Sequence, residues 1–519
     1  MEKNKEIQRN ELYKSIGHIA NDLRGSVDGW DFKQYVLGTM FYRYISENLC
    51  NYINKGEHEA GVLNFDYAKI SDEIAVKIKD GIIKEKGFFI LPSQLFCNVR
   101  LNSFKNENLN ETLQDVFKSI EKSSKGTESE KNFKGLFDDI DVNSKKLGQS
   151  VEKRNKNWSR ILNAIGEMKL GKYKENNIDA FGDAYEYLMS MYASNAGKSG
   201  GEFFTPQEVS ELLTRLTLVN KSEINKIYDP ACGSGSLLLQ SIKIIGKENI
   251  KNGFYGQEIN VTTYNLCRIN MFLHDIDFDK FNIECEDTLI SPRHLDDQPF
   301  DVIVSNPPYS IKWEGNSNPV LINDSRFLGP GVLAPKSKAD FAFILHILSS
   351  LSEDGVAAIV CFPGIMYRNG AEQKIRKYLI DKNFIDTIIY LPENLFFGTT
   401  ISTYIMVLKK QKLDHNVLFI DASNEYINFK KNNKLSSENI KNILNCFENR
   451  QNINFFSHLV SSEEIKENNY NLLISDYVDK KNYEVFTDIN FVNNELDKLV
   501  NEAKILRNKI EVLINGEKK

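Results

Sequence analysis

The segment Asp301-Val-Ile-Val-Ser-Asn-Pro-Pro-Tyr309 constrains this chain more than any other. Its aliphatic and β-branched run to Ser305 predicts a buried strand. Two consecutive prolines then forbid continuation of strand or helix, because each fixes φ and lacks an N–H. The chain must leave the sheet at Asn306, presenting a side-chain amide, two rigid carbonyls and an aromatic ring at the strand's carboxyl end. In open α/β sheets ligands bind at that edge.

The surrounding sequence supplies the sheet. Strand patterns at Lys226–Asp229, Gly253–Glu258, Phe281–Asp287, Gly355–Phe362, Phe384–Leu391, Thr403–Leu408 and Asn416–Ile420 alternate with helical runs such as Leu237–Ile245 and Phe341–Ser350. Strands alternating with helices predict a parallel, doubly wound α/β sheet. At 519 residues the chain exceeds a single core, and two to four domains of roughly 150 residues are expected. Residues 10–50 carry helical periodicity, Gly87–Pro92 a short loop, and Ser119–Gly135 a charged, small-residue stretch expected to be an exposed connection. We divide the chain into a helical N-terminal domain (1–165), the sheet domain (166–475) and a helical tail (476–519). In the tail, Ile489, Val492, Leu496, Leu499, Ala503, Leu506, Ile510 and Leu513 alternate spacings of three and four, a heptad seam. Such a seam suits either the chain's own core or, more sharply, a partner coil.

Composition excludes several classes. The first ten residues are polar and charged, and no apolar run is long enough to span a bilayer, so neither signal peptide nor membrane span is expected. Seven scattered cysteines without a C-x-x-C pair point to a reducing cytoplasm and no metal site. Net charge is −6, whereas a protein gripping DNA alone usually carries a basic surface. A DNA-directed activity would need a local basic patch or a partner's grip.

Two motifs carry chemistry. Asp229-Pro-Ala-Cys-Gly-Ser-Gly-Ser236 lies between a predicted strand and helix, where Gly233 and Gly235 let a ligand approach the backbone. Glu258 ends the next strand 25 residues after Gly233, where a ribose-binding acid belongs. Asp229 would repel a phosphate but suits a cationic amino or sulfonium group, favouring S-adenosylmethionine over a dinucleotide. Gly197-Lys-Ser199 is no P-loop, since Tyr192 occupies the position of the required first glycine. The glycines there predict a flexible loop before a helix with Thr205 as N-cap and Pro206 as its first residue. At the Asn306 corner, the amide oxygen and the Pro307 carbonyl would accept both hydrogens of an aromatic amine, freeing its lone pair, while Tyr309 stacks on the ring. A base inside a duplex reaches such a pocket only when flipped out.

Together the Asp229–Gly235 and Asn306–Tyr309 motifs resemble those of N6-adenine DNA methyltransferases. Gly201-Glu-Phe-Phe-Thr-Pro206, Asn306–Trp313, Pro335–His346 and Ser123–Glu130 further resemble the modification subunit of type I restriction-modification systems, nearly end to end. The resemblance implies a Rossmann-like S-adenosylmethionine-dependent fold with a helical N-terminal domain and a C-terminal coiled-coil helix. It implies that Glu202, Phe203, Phe204, Thr205, Pro206 and Gln207 lie beside the cofactor's methionine moiety. Asp229, Gly233, Ser234, Gly235 and Ser236 would form its turn, Glu258 would bind the ribose, and Asp287 would lie near the adenine. Asn306, Pro307, Pro308 and Tyr309 would be the catalytic corner. The implied partners are double-stranded DNA, a specificity subunit that chooses the site, a second copy of this chain, and a restriction subunit supplying translocase and nuclease. Rival readings are a protein-glutamine methyltransferase, a stand-alone adenine methyltransferase, and a catalytically silent assembly subunit.

Overall fold

The computed structural model describes residues 10–14, 16–17, 29–168, 170, 180–195, 205–396, 399–429, 432–480 and 489–516. Its contacts divide into Met1–Val478 and Asp479–Lys519.

In the first unit, helix α1 (Gly29–Glu59) is the spine of the N-terminal region. Helices α2 (Leu109–Ser123) and α3 (Val151–Glu167) follow, each with one strongly apolar face. Trp158 on α3 is fully buried, donates its indole N–H to the Val142 carbonyl, and meets Tyr35 edge-on. Ser119–Gly135 is not the exposed connection expected. Helix α2 runs to Ser123, and Ser124, Ser129, Asn132 and Phe133 are buried. Polar composition misled there because these side chains satisfy buried carbonyls, Ser129 at Gly87 and Asn132 at Phe278.

Helix α4 (Ala180–Asn195) and helix α5 (Gln207–Leu218) lead into the sheet. There follow β1 (Ile227–Asp229), α6 (Ser236–Ile245), β2 (Phe254–Glu258), α7 (Val261–Leu273), β3 (Phe281–Cys285) and β4 (Phe300–Ser305). The second half runs α8 (Asp340–Ser350), β5 (Leu351–Cys361), α9 (Ala371–Asp381), β6 (Ile385–Tyr390), β7 (Tyr404–Lys409) and β8 (Asn416–Asp421). A short hairpin of β9 (Ile427–Phe429) and β10 (Asn432–Lys434), helix α10 (Ser437–Asn449) and β11 (Ser457–Ser461) follow, and a short helix at Ser462–Glu467 comes after the last strand.

The large sheet has the order β11-β8-β6-β7-β5-β4-β1-β2-β3. It is doubly wound but not wholly parallel, because β7 runs antiparallel to both β5 and β6, and β11 antiparallel to β8. The stretch from β6 to β7 holds no crossover helix among its described residues, so the chain turns back and slots between β5 and β6. Hairpin β9–β10 and strand β11 were not legible in the sequence. Strand order reverses between β1 and β4, the point in such sheets where a crevice opens at the carboxyl ends.

The N-terminal helices dock on the sheet region through α7. Fully buried Arg268 donates to the carbonyls of Lys131 and Lys134, and Asp139 accepts from Thr262 and Asn265. The second unit is helix α11 (Ile489–Gly516), on which Leu496, Leu499, Ala503, Leu506 and Ile510 of the heptad seam are exposed. Among the described residues no helix is long and apolar enough to cross a membrane.

Candidate active site

Strand β1 ends in Asp229 because Pro230 follows and the glycines beyond it turn the chain. Asp229 is fully buried. Its Oδ1 accepts from the Ala231 N–H at 3.0 Å and from the Ser305 hydroxyl at 2.7 Å, whereas its buried Oδ2 has no hydrogen-bond partner among the described residues. Burial raises the carboxyl to about 7, and the nearby Glu258 charge adds to this. An unpartnered buried carboxylate oxygen suits a cationic group.

Gly233 and Gly235 both take positive φ, +55° and +79°. A Cβ on Gly235 would lie 2.7 Å from Cys267 Sγ and 3.1 Å from Met271 Cε, so the turn is pressed against α7 with no spare volume. Gly235→Ala is therefore expected to cost about 2–4 kcal/mol in denaturant unfolding, from left-handed strain plus overpacking. Ser234 and Ser236 share a 3.1 Å hydroxyl contact, and Asn270 on α7 donates to the Ser234 carbonyl. Glu258, half-buried at the end of β2, accepts from the Gly233 N–H at 3.0 Å and the Asn260 N–H at 2.8 Å, and burial raises its carboxyl. The acid expected to meet a ribose thus also fixes the glycine turn. The strand predicted to end at Asp287 stops at Cys285, so Asp287 lies two residues beyond the end of β3 and caps the next turn by accepting from Leu289 and Ile290 N–H groups.

At the end of β4, Pro307 is buried and Asn306 half-buried. Asn306 Nδ2 donates to Thr205 Oγ1 at 3.1 Å, and Tyr309 donates its hydroxyl to Asn306 Oδ1 at 2.7 Å. Burial pushes the Tyr309 phenol well above the ordinary tyrosine range, so the hydroxyl stays protonated and able to donate. Its ring lies 6.3 Å from that of Phe362, which follows β5. Ser310 then takes φ +50°, and its N–H donates to both carboxyl oxygens of buried Asp340 at the start of α8.

Thr205 is not the N-cap expected; Pro206 occupies that position, with no side-chain cap bond. The Thr205 hydroxyl is taken up by Asn306 instead. Gln207 at the start of α5 donates to buried Glu186. Glu202, Phe203 and Phe204, with the Gly197–Gly201 loop, lie outside the described residues. The remaining predicted residues converge at the carboxyl ends of β1, β2, β3 and β4. Ser305, Asp340 and Arg326 were missed. Arg326, nearly fully buried, donates to the Thr288 and Leu289 carbonyls at 2.9 and 2.7 Å and pairs with Asp324, holding the loop that carries Asp287. No spacing rule could have found an arginine that acts across the long excursion after β4. In sequence Ser305 reads only as the end of a strand.

A sheet of this order, with an acid–glycine turn at its switch point and an Asn-Pro-Pro-Tyr corner beside it, defines a Rossmann-like amino-group methyltransferase. The N-6 DNA Methylase family matches residues 176–485, and the HsdM N-terminal domain matches residues 12–165. The Type I restriction enzyme MpnII methylase subunit of Mycoplasma pneumoniae is 49% identical over all of this chain and 98% of its own length. The MjaVII methylase subunit of Methanocaldococcus jannaschii is 29% identical over 91% of this chain and 78% of its own. Among solved structures, the type I restriction-modification methyltransferase subunit from Streptococcus thermophilus superposes with a TM-score of 0.82 at 35% identity, covering 91% of this chain and all of that one. The chain belongs to the N-6 DNA methylase family and, within it, to the methylase subunits of type I restriction enzymes.

Proposed function

We propose that this chain transfers a methyl group from S-adenosylmethionine to N6 of an adenine flipped out of duplex DNA, as the modification subunit of a type I complex. The observation that carries the reading is the 2.7 Å bond from Ser305 to Asp229, which ties the end of β4 to the end of β1 and sets the amide corner beside the glycine turn. S-adenosylmethionine, when bound, supplies an electrophilic methyl on a sulfonium centre. The residues suit it: Asp229 offers its unpartnered oxygen to a cation, Gly233–Ser236 a backbone cradle, Glu258 a carboxylate for ribose hydroxyls, and Asp287 a polar edge for the adenine. Glu202–Gln207 would flank the methionine moiety.

At the other side of the crevice, Asn306 Oδ1 keeps a second lone pair after accepting from Tyr309 and can accept one hydrogen of the target amine. The Pro307 carbonyl accepts the other. With both hydrogens held, the nitrogen lone pair is localised toward the methyl donor without a strong base. Pro308 locks the carbonyl geometry, and Tyr309 holds the Asn306 amide through its hydroxyl while presenting its ring to the base.

A specificity subunit would choose the sequence, two copies of this chain would flank it, and a restriction subunit would cut. The exposed seam of α11 would take a helix of the specificity subunit. The dispersed free cysteines and a DNA substrate suit the cytoplasm. Labelled cofactor is expected to mark adenine in duplex DNA only when the specificity partner is present. Site-specific transfer at full rate by the isolated chain would overturn the partner assignment, and no label in adenine with the partner present would overturn the reaction.

A further inference from the structure

The chain is acidic overall, yet the segments that leave the catalytic corner are not. Two backbone rungs bind residues 311–313 to residues 336–339: Ala339 N–H donates to the Ile311 carbonyl at 2.9 Å, and Trp313 N–H to the Lys336 carbonyl at 3.0 Å. The Trp313 indole, buried against Phe327, adds a 3.1 Å bond to the Pro335 carbonyl, and Gly315 packs under the same ring and against Lys336. The rungs bring Lys312 alongside Lys336 and Lys338. Lys312 and Lys336 are exposed, Lys338 is half-buried, and none of the three makes an ion pair among the described residues. Of the acids near them, Glu314 accepts from Asn318, Asp340 is buried beneath Ser310, and both Asp340 and buried Glu372 feel the Lys338 charge.

We propose that this lysine ledge, Lys312 with Lys336 and Lys338, is a phosphate-backbone contact for the strand that delivers the target adenine. The proposal rests on the reading above. Lys312 lies three residues beyond Tyr309, so its Cα is within about 10 Å of that of Tyr309. A DNA strand carries one phosphate for roughly each 3.4 Å of rise, so phosphates flanking an extruded base must pass within reach of such a ledge. Two exposed ammonium groups and a half-buried third, on a frame pinned by Trp313, suit sequence-independent anions. They do not suit base edges, which are read by planar, bidentate groups. The ledge also answers the charge problem: the local grip is basic while the whole chain is not.

The test uses the full chain assembled with its specificity partner, and a duplex fragment carrying an adenine that the wild-type complex methylates. In Lys312→Gln/Lys336→Gln/Lys338→Gln the slope of log affinity against log salt is expected to fall by about 2–3, with KM for DNA raised and cofactor affinity unchanged. Removing the same charge from the opposite edge of the sheet, Lys247→Gln/Lys251→Gln/Lys280→Gln, should leave the slope alone. A wild-type slope in the ledge variant that still binds cofactor overturns the proposal, as does weaker binding at an unchanged slope. Should the triple variant lose cofactor binding, the single variants decide, each lowering the slope by about 1 if the proposal holds. Failure of the methyltransferase reading is separately visible, as absence of adenine methylation by the wild-type complex.

Discussion

Asn306→Ala is expected to slow methyl transfer by about 10²–10³-fold or more while leaving cofactor affinity within about threefold, the pattern for a group engaged with the reacting nitrogen rather than with the donor. The geometry explains the separation. Asn306 touches Thr205 and Tyr309 but none of the groups that shape the glycine turn, which stand on Asp229, Glu258 and Asn270. Removing the amide takes the partner from the buried Thr205 hydroxyl and from the Tyr309 hydroxyl, so a stability cost of about 1–3 kcal/mol is expected beside the loss of transfer. Asn306→Asp is a sharper probe. It keeps an acceptor for Tyr309 and for the amine but loses the donor to Thr205, and it adds a negative charge beside the bound cation. Retained cofactor affinity in both variants, with transfer lost in Asn306→Ala and largely kept in Asn306→Asp, supports the role. Parallel loss of cofactor binding and transfer in Asn306→Ala would make the residue structural. Single-turnover rates with calorimetric cofactor titration separate the two outcomes.

How much of this site could be read from sequence depends on how local each constraint is. The Asn306 corner was legible because two prolines leave the backbone almost no freedom, whatever the tertiary context. The Asp229–Ser236 turn was legible because glycines at positive φ mark a strand-to-helix turn in any doubly wound sheet. Glu258 was found as an acid at a strand end. That it also accepts from Gly233 follows only from the parallel register that places β2 beside β1. Thr205 was misplaced for the opposite reason. Threonine before proline is a good local capping signal, but its hydroxyl serves Asn306, 101 positions away in sequence. Polar side chains choose partners by three-dimensional proximity, which periodicity does not encode. The antiparallel β7 escaped notice because the strand pattern carries no direction. Only the absence of a helical run between β6 and β7 hinted that the chain returns by a tight route.

Asp229→Asn should separate stability from cofactor binding, with opposite signs. The Asp229 carboxyl lies near 3.9 in an unfolded chain and is raised to about 7 by burial in the fold. The folded state therefore binds this proton more tightly, so the burial penalty is absent below about pH 4 and grows as pH rises toward 7. The asparagine variant escapes that penalty. At pH 8 it is expected to be more stable than wild type by on the order of 1 kcal/mol, well below the full linkage value because the new amide leaves its own N–H groups unpaired. At pH 4 that advantage vanishes or reverses. Cofactor binding moves the other way. A cationic group beside Oδ2 requires the ionised carboxylate, so wild-type affinity should fall by up to about tenfold per pH unit below 7, with about half a proton released on binding at pH 7 and close to one at pH 6 and below. The variant should bind weakly at every pH and release none. Thermal unfolding from pH 4 to 8, and cofactor titration in two buffers of different ionisation enthalpy, measure both limbs. A wild-type affinity that stays flat between pH 5.5 and 8 would show that Asp229 does not meet a cation. Its burial would then be explained by the Ser305 and Ala231 bonds alone, a clamp between β1 and β4 that shapes the crevice without touching what enters it.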